Sequence, residues 1–239
     1  MQILFHGSVP KHADSPSDNE DAYRVDAERG RVVVSDGASE SFDAKSWAQL
    51  IVDQFMETGP NEATVGECVA AFAALHDPAA LSWSRAAAFE RGSFGTLLVA
   101  QEDSDGRLGV ISIGDSLAVV TDGHVLLGQW PYDAAEQFAQ KPVLLSTKAE
   151  LNVDLLQEDS ERVVTATWER GDLQGPVFVL CMTDALGAWL LASTQAGQTN
   201  ALEQLLEIRD EAALETLVER ERDIGAMRRD DSTLVIAVI

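Results

Sequence analysis

The feature that most constrains this chain is a repeated one: a short, strongly apolar run bordered by an acidic residue. Arg31-Val32-Val33-Val34-Ser35-Asp36-Gly37 is the first instance. Three β-branched residues in succession read as a buried strand, and the glycine after the acid lets the backbone turn tightly or approach a ligand. The pattern returns at residues 108–113 followed by Gly114-Asp115-Ser116, and at 176–182 followed by Thr183-Asp184. It returns once more, acid first, at Asp230-Asp231 before residues 233–239, and Glu20-Asp21 stands at the start of another strand. A single Asp beside a strand is ordinarily a turn or helix-cap residue, and Asp184 has the position to cap a helix beginning at Ala185. Four such placements in one chain weigh against that explanation. Carboxylates gathered at strand ends without bases repel one another and resist ionisation. Divalent cations relieve the repulsion, and an all-oxygen set with no His or Cys cluster points to magnesium or manganese rather than zinc.

In chain order, the spacing predicts strands at 2–5, 19–25 and 31–36, with a polar loop over 6–18. Trp47, Leu50, Ile51 and Phe55 recur at helical intervals within 43–56, and helices are also expected at 64–75 and 83–89. Trp47 and Trp83 read as core anchors. Strands at 96–100, 108–113, 117–120 and 125–127 follow with short turns, an antiparallel meander and not an alternating βαβ pattern. Residues 128–159 read as an insertion with one helix near 147–156. Strands at 162–167, 176–182 and 233–239 and helices at 185–191, 200–208 and 211–222 complete the expectation.

A chain of 239 residues that is 46% hydrophobic suits one domain with a sizeable core. A net charge of −23 argues against nucleic-acid binding, which draws on Lys and Arg, and against anionic membrane surfaces. No apolar stretch is long enough to span a bilayer, and the first residues lack a signal-peptide pattern, so the expected location is cytoplasmic. Cys68 and Cys181 read as buried free thiols. His6, His12, His76 and His124 have no mutual spacing that suggests a site.

Asn19-Glu20-Asp21, Ser35-Asp36-Gly37, Gly95-Thr96, Ile113-Gly114-Asp115-Ser116, Met182-Thr183-Asp184 and Asp230-Asp231-Ser232-Thr233-Leu234 resemble, in order, the motif series of the metal-dependent protein phosphatase 2C (PPM-type) family, as in its bacterial members. The resemblance spans essentially the whole chain. It implies an α+β fold, a four-layer αββα sandwich of two antiparallel sheets flanked by helices, in a single domain over 1–239 with a flap-like insertion at about 128–159. It further implies two Mn2+ or Mg2+ ions and a third, weaker one. Asp36 would bridge the two ions and the Gly37 carbonyl would complete one of them. Asp184 and Asp231 would bind the other ion, Glu20 and Asp21 would hold metal-bound waters or contact the metal indirectly, and Asp115 with Asp184 would recruit the third. The implied reaction is in-line hydrolysis of phosphoserine or phosphothreonine by a metal-bridging hydroxide, with Asp36, Asp184 and Asp231 catalytic through it. The implied partner is a phosphorylated protein, a Ser/Thr kinase or its target, met by a monomer.

Two positions depart from the family pattern. Ala38 stands where a general-acid His is often found, and Pro16 where an Arg commonly grips phosphate. Lys11 or His12 in the same loop is the candidate substitute, although a Lys offers a point charge and no bidentate fork. These departures keep a second expectation open, a phosphatase-fold binding or regulatory module with little turnover. A third, an acidic interaction protein whose carboxylates are only solvated surface, predicts no tight divalent-ion binding. Trp130, Tyr132 and Phe138 in the insertion are read as the flap's own small core in preference to a substrate contact.

Overall fold

The structure is a computed structural model and describes residues 1–157, 160–198 and 200–239. Two five-stranded antiparallel sheets lie at its centre. The first has the spatial order β1 (Gln2–Val9), β12 (Ser232–Val238), β11 (Phe178–Met182), β7 (Leu117–Thr121), β8 (Leu126–Trp130). The second has the order β10 (Val164–Trp168), β6 (Leu108–Ile113), β5 (Leu97–Glu102), β3 (Arg31–Asp36), β2 (Asp21–Asp26). A two-residue pair, β4 (Phe94–Gly95) with β9 (Leu145–Ser146), stands apart. Helices α1 (Ala44–Thr58), α2 (Glu62–Leu75) and α3 (Trp83–Arg91) belong to the side of the second sheet; α4 (Asp184–Gln195), α5 (Asn200–Leu206) and α6 (Glu211–Asp223) cover the first. This is the expected four-layer α+β sandwich.

The uninterrupted apolar strands follow from that layering, because both faces of each sheet are covered. Side chains alternate across a strand. Val32 and Val34 therefore meet Leu98, Val179 and Val235 between the sheets, while Val33 meets Trp47, Ile51 and Phe55 on the helical side. In β11 the same alternation sends Cys181 inward and Leu180 and Met182 toward Trp189 and Leu190. Both cysteines are buried and unpaired, and burial pushes each thiol up to about 12. Helix starts are set by side-chain caps: Asp43 accepts from the Ser46 amide at 3.3 Å, Asn61 from Thr64 at 3.0 Å and Asp210 from Ala213 at 2.8 Å. Among the described residues, no helix is long and apolar enough to cross a membrane.

Four expectations need correction. The polar loop over 6–18 begins only after Val9, because β1 continues through residues 6–9, which pair with Val235 back to Ser232 of β12. The helix at 147–156 is only a single 3-10 turn, Ala149–Leu151. Asn152 ends it by folding its amide back onto Ser146, accepting from the backbone N–H at 2.9 Å and donating to the carbonyl at 2.6 Å. Trp47 is fully buried and donates its indole N–H to the Leu145 carbonyl at 3.1 Å, but Trp83 is 88% exposed. In α3 it is Phe89 that packs, against Phe42 and Phe72; Trp83, six residues earlier, lies about 120° round the helix from it. The segment 128–159 opens as part of β8, and its aromatics join the main cores and not a core of their own. Trp130 packs between the sheets, and Tyr132 meets Phe138 edge-on at 4.9 Å against the α4 cluster. Residues 158 and 159, its last two, lie outside the described residues.

Candidate metal centre

Register brings the acidic strand ends together. Met182 pairs with Leu234 on one side and Leu117 on the other, so Thr183-Asp184, Asp230-Asp231 and Asp115-Ser116 leave the first sheet at one end. In the second sheet Asp21 is paired with Asp36, and Leu97 with Ile113, at the same end of the sandwich. Asp21 ties the sheets: its Oδ2 accepts from Thr183 Oγ1 at 2.9 Å and from Thr233 Oγ1 at 2.7 Å. Thr96 fixes the Asp36 backbone from both sides, its Oγ1 accepting from the Asp36 amide and its own amide donating to the Asp36 carbonyl, each at 2.8 Å. The Thr96 hydroxyl also lies 2.7 Å from Ser116 Oγ. Gly37 donates its amide to the Glu20 carbonyl at 3.3 Å, and a Cβ there would lie 2.7 Å from the Ala44 carbonyl oxygen, so a larger residue would displace the start of α1.

The electrostatics are those of crowded, buried acids. Burial, with Asp21, Asp115 and Asp230 nearby, pushes the Asp36 carboxyl well above the ordinary range. Burial, reinforced by Asp231 and Asp230 and partly offset by the two threonine hydroxyls, raises Asp21 to about 7. Asp115 is raised by burial, and so is Glu20, where the Ser39 side chain and Lys11 work in the opposite direction. Asp21 Oδ1 and Asp184 Oδ1 are buried and have no hydrogen-bond partner. Orphaned carboxylate oxygens in a set of raised acids fit a hard, oxygen-seeking cation.

The two acids of the Asp230-Asp231 doublet have different partners. Asp231 spends its carboxylate on the backbone of the 11–20 loop, Oδ1 accepting from the Lys11 amide at 2.6 Å and Oδ2 from the Glu20 amide at 2.8 Å. Both acids bear on Asp21 and Glu20, Asp231 the more strongly, and it is Asp230 whose charge also reaches Asp36 and Asp115. Successive residues entering a strand point opposite ways, so the two carboxylates take different partners, and the doublet alone does not say which takes which. Asp184 does not cap α4: Thr183 holds the cap position, and Asp184, 7% exposed, reaches Arg228. Arg228 is the residue that sequence reasoning missed. It pairs with Asp184 Oδ2 and, at 3.2 Å, with Asp230 Oδ2, and its charge partly offsets the rise at Asp36 and Asp115. The one available signal was a basic residue two positions before the acid pair. Lys11 reaches the rim, with Nζ 3.5 Å from Asp230 Oδ1. His12 is exposed and contributes its carbonyl to a turn with the Ser15 amide at 3.0 Å. Among the described residues no three Asp, Glu, His or Cys side chains are already drawn into a cage; Arg228 stands between Asp184 and Asp230.

No protein-family model and no curated protein sequence matches the chain. Solved structures do. A bacterial serine phosphatase superposes with a TM-score of 0.62 at 13% identity, covering 99% of this chain and 98% of that one. The photosystem II phosphatase PBCP gives 0.58 at 14% identity with 98% of each chain covered. PppA, a regulatory component of T6SS in Pseudomonas aeruginosa, gives 0.54 at 20% identity with 100% of each covered. The chain has the fold of the PPM-type phosphatases. At these identities the likeness establishes the fold; what the chain does has to be argued from its own residues.

Proposed function

We propose that the chain is a metal-dependent phosphoserine/phosphothreonine protein phosphatase, a single domain that works as a cytoplasmic monomer on a phosphorylated kinase or that kinase's target. One observation carries the reading: acids from both sheets meet at one buried end with two carboxylate oxygens left without partners. Asp36, the Gly37 carbonyl, Asp184 and Asp230 would hold two Mn2+ or Mg2+ ions, Asp230 taking the role first expected of Asp231. Glu20 and Asp21 would complete the shell, and Asp115 with Asp184 would offer a third, weaker position. Bound ions of this kind supply a hydroxide nucleophile near neutral pH and neutralise charge on phosphoryl oxygens. The chain's own contribution is preorganisation. Thr96 fixes the backbone that carries Asp36, Thr183 and Thr233 fix Asp21, and Asp231 holds the 11–20 loop so that Lys11 can meet an incoming phosphate with a point charge.

The test is hydrolysis of p-nitrophenyl phosphate and of a phosphothreonine peptide, with manganese and with EDTA. Expected is manganese-dependent phosphate release that falls by roughly two orders of magnitude or more in Asp36→Asn, Asp184→Asn and Asp230→Asn. Absence of turnover in the unmodified protein with every divalent ion overturns the enzyme. The second reading, a metal-binding module with little turnover, is favoured by Arg228 spanning two donors and by Ala38 and Pro16. It predicts manganese binding without phosphate release.

A further inference from the structure

We propose that Arg228 is the resident cation of this site: in the metal-free chain its guanidinium holds the place between Asp184 and Asp230, and a divalent ion binds by exchanging with it. The inference rests on the reading of the acids as a metal site and adds how that site is kept intact before it is loaded. Asp184 is almost wholly buried, its Oδ1 has no partner, and Arg228 is the cation paired with its Oδ2. Without a counter-charge, that carboxylate would be an uncompensated buried ion. The same guanidinium lies 3.2 Å from Asp230 Oδ2, so one cation bridges the two acids proposed to share a metal. Its charge also bears on Asp36 and Asp115, the other proposed donors.

The surroundings make the exchange feasible. Arg228 is 49% exposed and, among the described residues, has no hydrogen-bond acceptor besides Asp184. Its departure toward solvent would thus break only its pairing with the two acids. The loop behind it is pinned separately. Arg222, with only 1% of its side chain exposed, donates to the carbonyls of Pro10 and Asp230, to Ser232 Oγ and to Glu219. The backbone that presents Asp230 can therefore stay fixed while Arg228 turns outward. Arg229 provides a built-in comparison. It carries the same charge one residue on, but lies 3.8 Å from Glu219 and 3.5 Å from the Lys11 carbonyl, outside the acid cluster. Lys11, on the other oxygen of Asp230, is the second cation facing the cluster and is left unchanged in the test.

The experiment is calorimetric titration of Mn2+ into Arg228→Gln, Arg228→Lys and Arg229→Gln, with thermal melts of each in EDTA. Exchange predicts that Arg228→Gln binds Mn2+ roughly tenfold or more tightly, since no cation has to be displaced, and melts lower in EDTA. Arg228→Lys falls between Arg228→Gln and the unmodified protein on both readouts, because it keeps the charge without the fork. Arg229→Gln changes neither. Equal shifts in Arg228→Gln and Arg229→Gln would reduce the effect to long-range charge and overturn the proposal, as would weaker binding in Arg228→Gln. If the unmodified protein binds no Mn2+, the metal reading fails, and the melts decide alone. A drop in EDTA confined to Arg228→Gln supports Arg228 as the resident counter-ion, and no drop overturns it.

Discussion

Asp231 gives both carboxylate oxygens to part-buried backbone amides, at 2.6 and 2.8 Å, whereas Asp230 faces Arg228 and Lys11 across the acid cluster. Removing a charged acceptor strands its donors, at about 1–3 kcal/mol for each group left unsatisfied. Asp231→Ala is therefore expected to lower the melting temperature in EDTA by several degrees, on a scale of about 2–4 °C per kcal/mol. Asp230→Ala should leave that melt nearly unchanged and weaken manganese binding instead; melts and calorimetry on the two variants separate the roles, and the reverse pattern would return Asp231 to the metal. Asp36 gives a converse case. Its carboxylate is pressed by burial and by neighbouring acids, so Asp36→Asn relieves repulsion in the metal-free chain. That variant should melt higher than the unmodified protein in EDTA and gain nothing from added manganese.

At the scale of elements, the site depends on how tightly β5, β6 and β3 are joined at one end. Gly114, between β6 and β7, has φ +102°, and a Cβ there would sit 2.7 Å from Thr96 Cγ2, on the residue that clamps Asp36. Gly106 also has a positive φ, +76°, yet nothing lies within 4 Å of its Cβ position. Gly114→Ala should cost about 1–3 kcal/mol beyond the backbone strain it shares with Gly106→Ala, and it should lower manganese affinity as well. Melts and titrations of the pair measure that difference. Most elements were legible because their apolar runs are local signals: Val32–Val34 for β3, Trp47 to Phe55 for α1. The missing helix near 147–156 was not, because Asn152 bonds back to Ser146 and ends the turn. Trp83 was misread because the apolar face of α3 is set by Phe89, and which face a short helix buries is decided by its neighbours.

Across the whole molecule, the convergence of Asp21, Asp36, Asp115 and Asp184 was foreseeable from strand-end chemistry and from a resemblance in motif order. Two things were not: the choice within the Asp230-Asp231 doublet and the presence of Arg228. Both depend on side-chain direction in a loop whose path is set by the distant contacts of Arg222. If the two sheets share a metal between them, loading should stabilise the fold as a unit. At a hundredfold excess over Kd, binding to the native state alone contributes about 2.7 kcal/mol, a rise of about 5–11 °C over the melt in EDTA. The claim beneath all of this is that carboxylates from both sheets jointly bind a divalent ion, and calorimetric titration of Mn2+ into the unmodified protein, Asp36→Asn and Asp184→Asn tests it most directly. Saturable binding that is lost or weakened by at least about tenfold in both variants is the predicted result; equal binding in all three, or none in the unmodified protein, would contradict it.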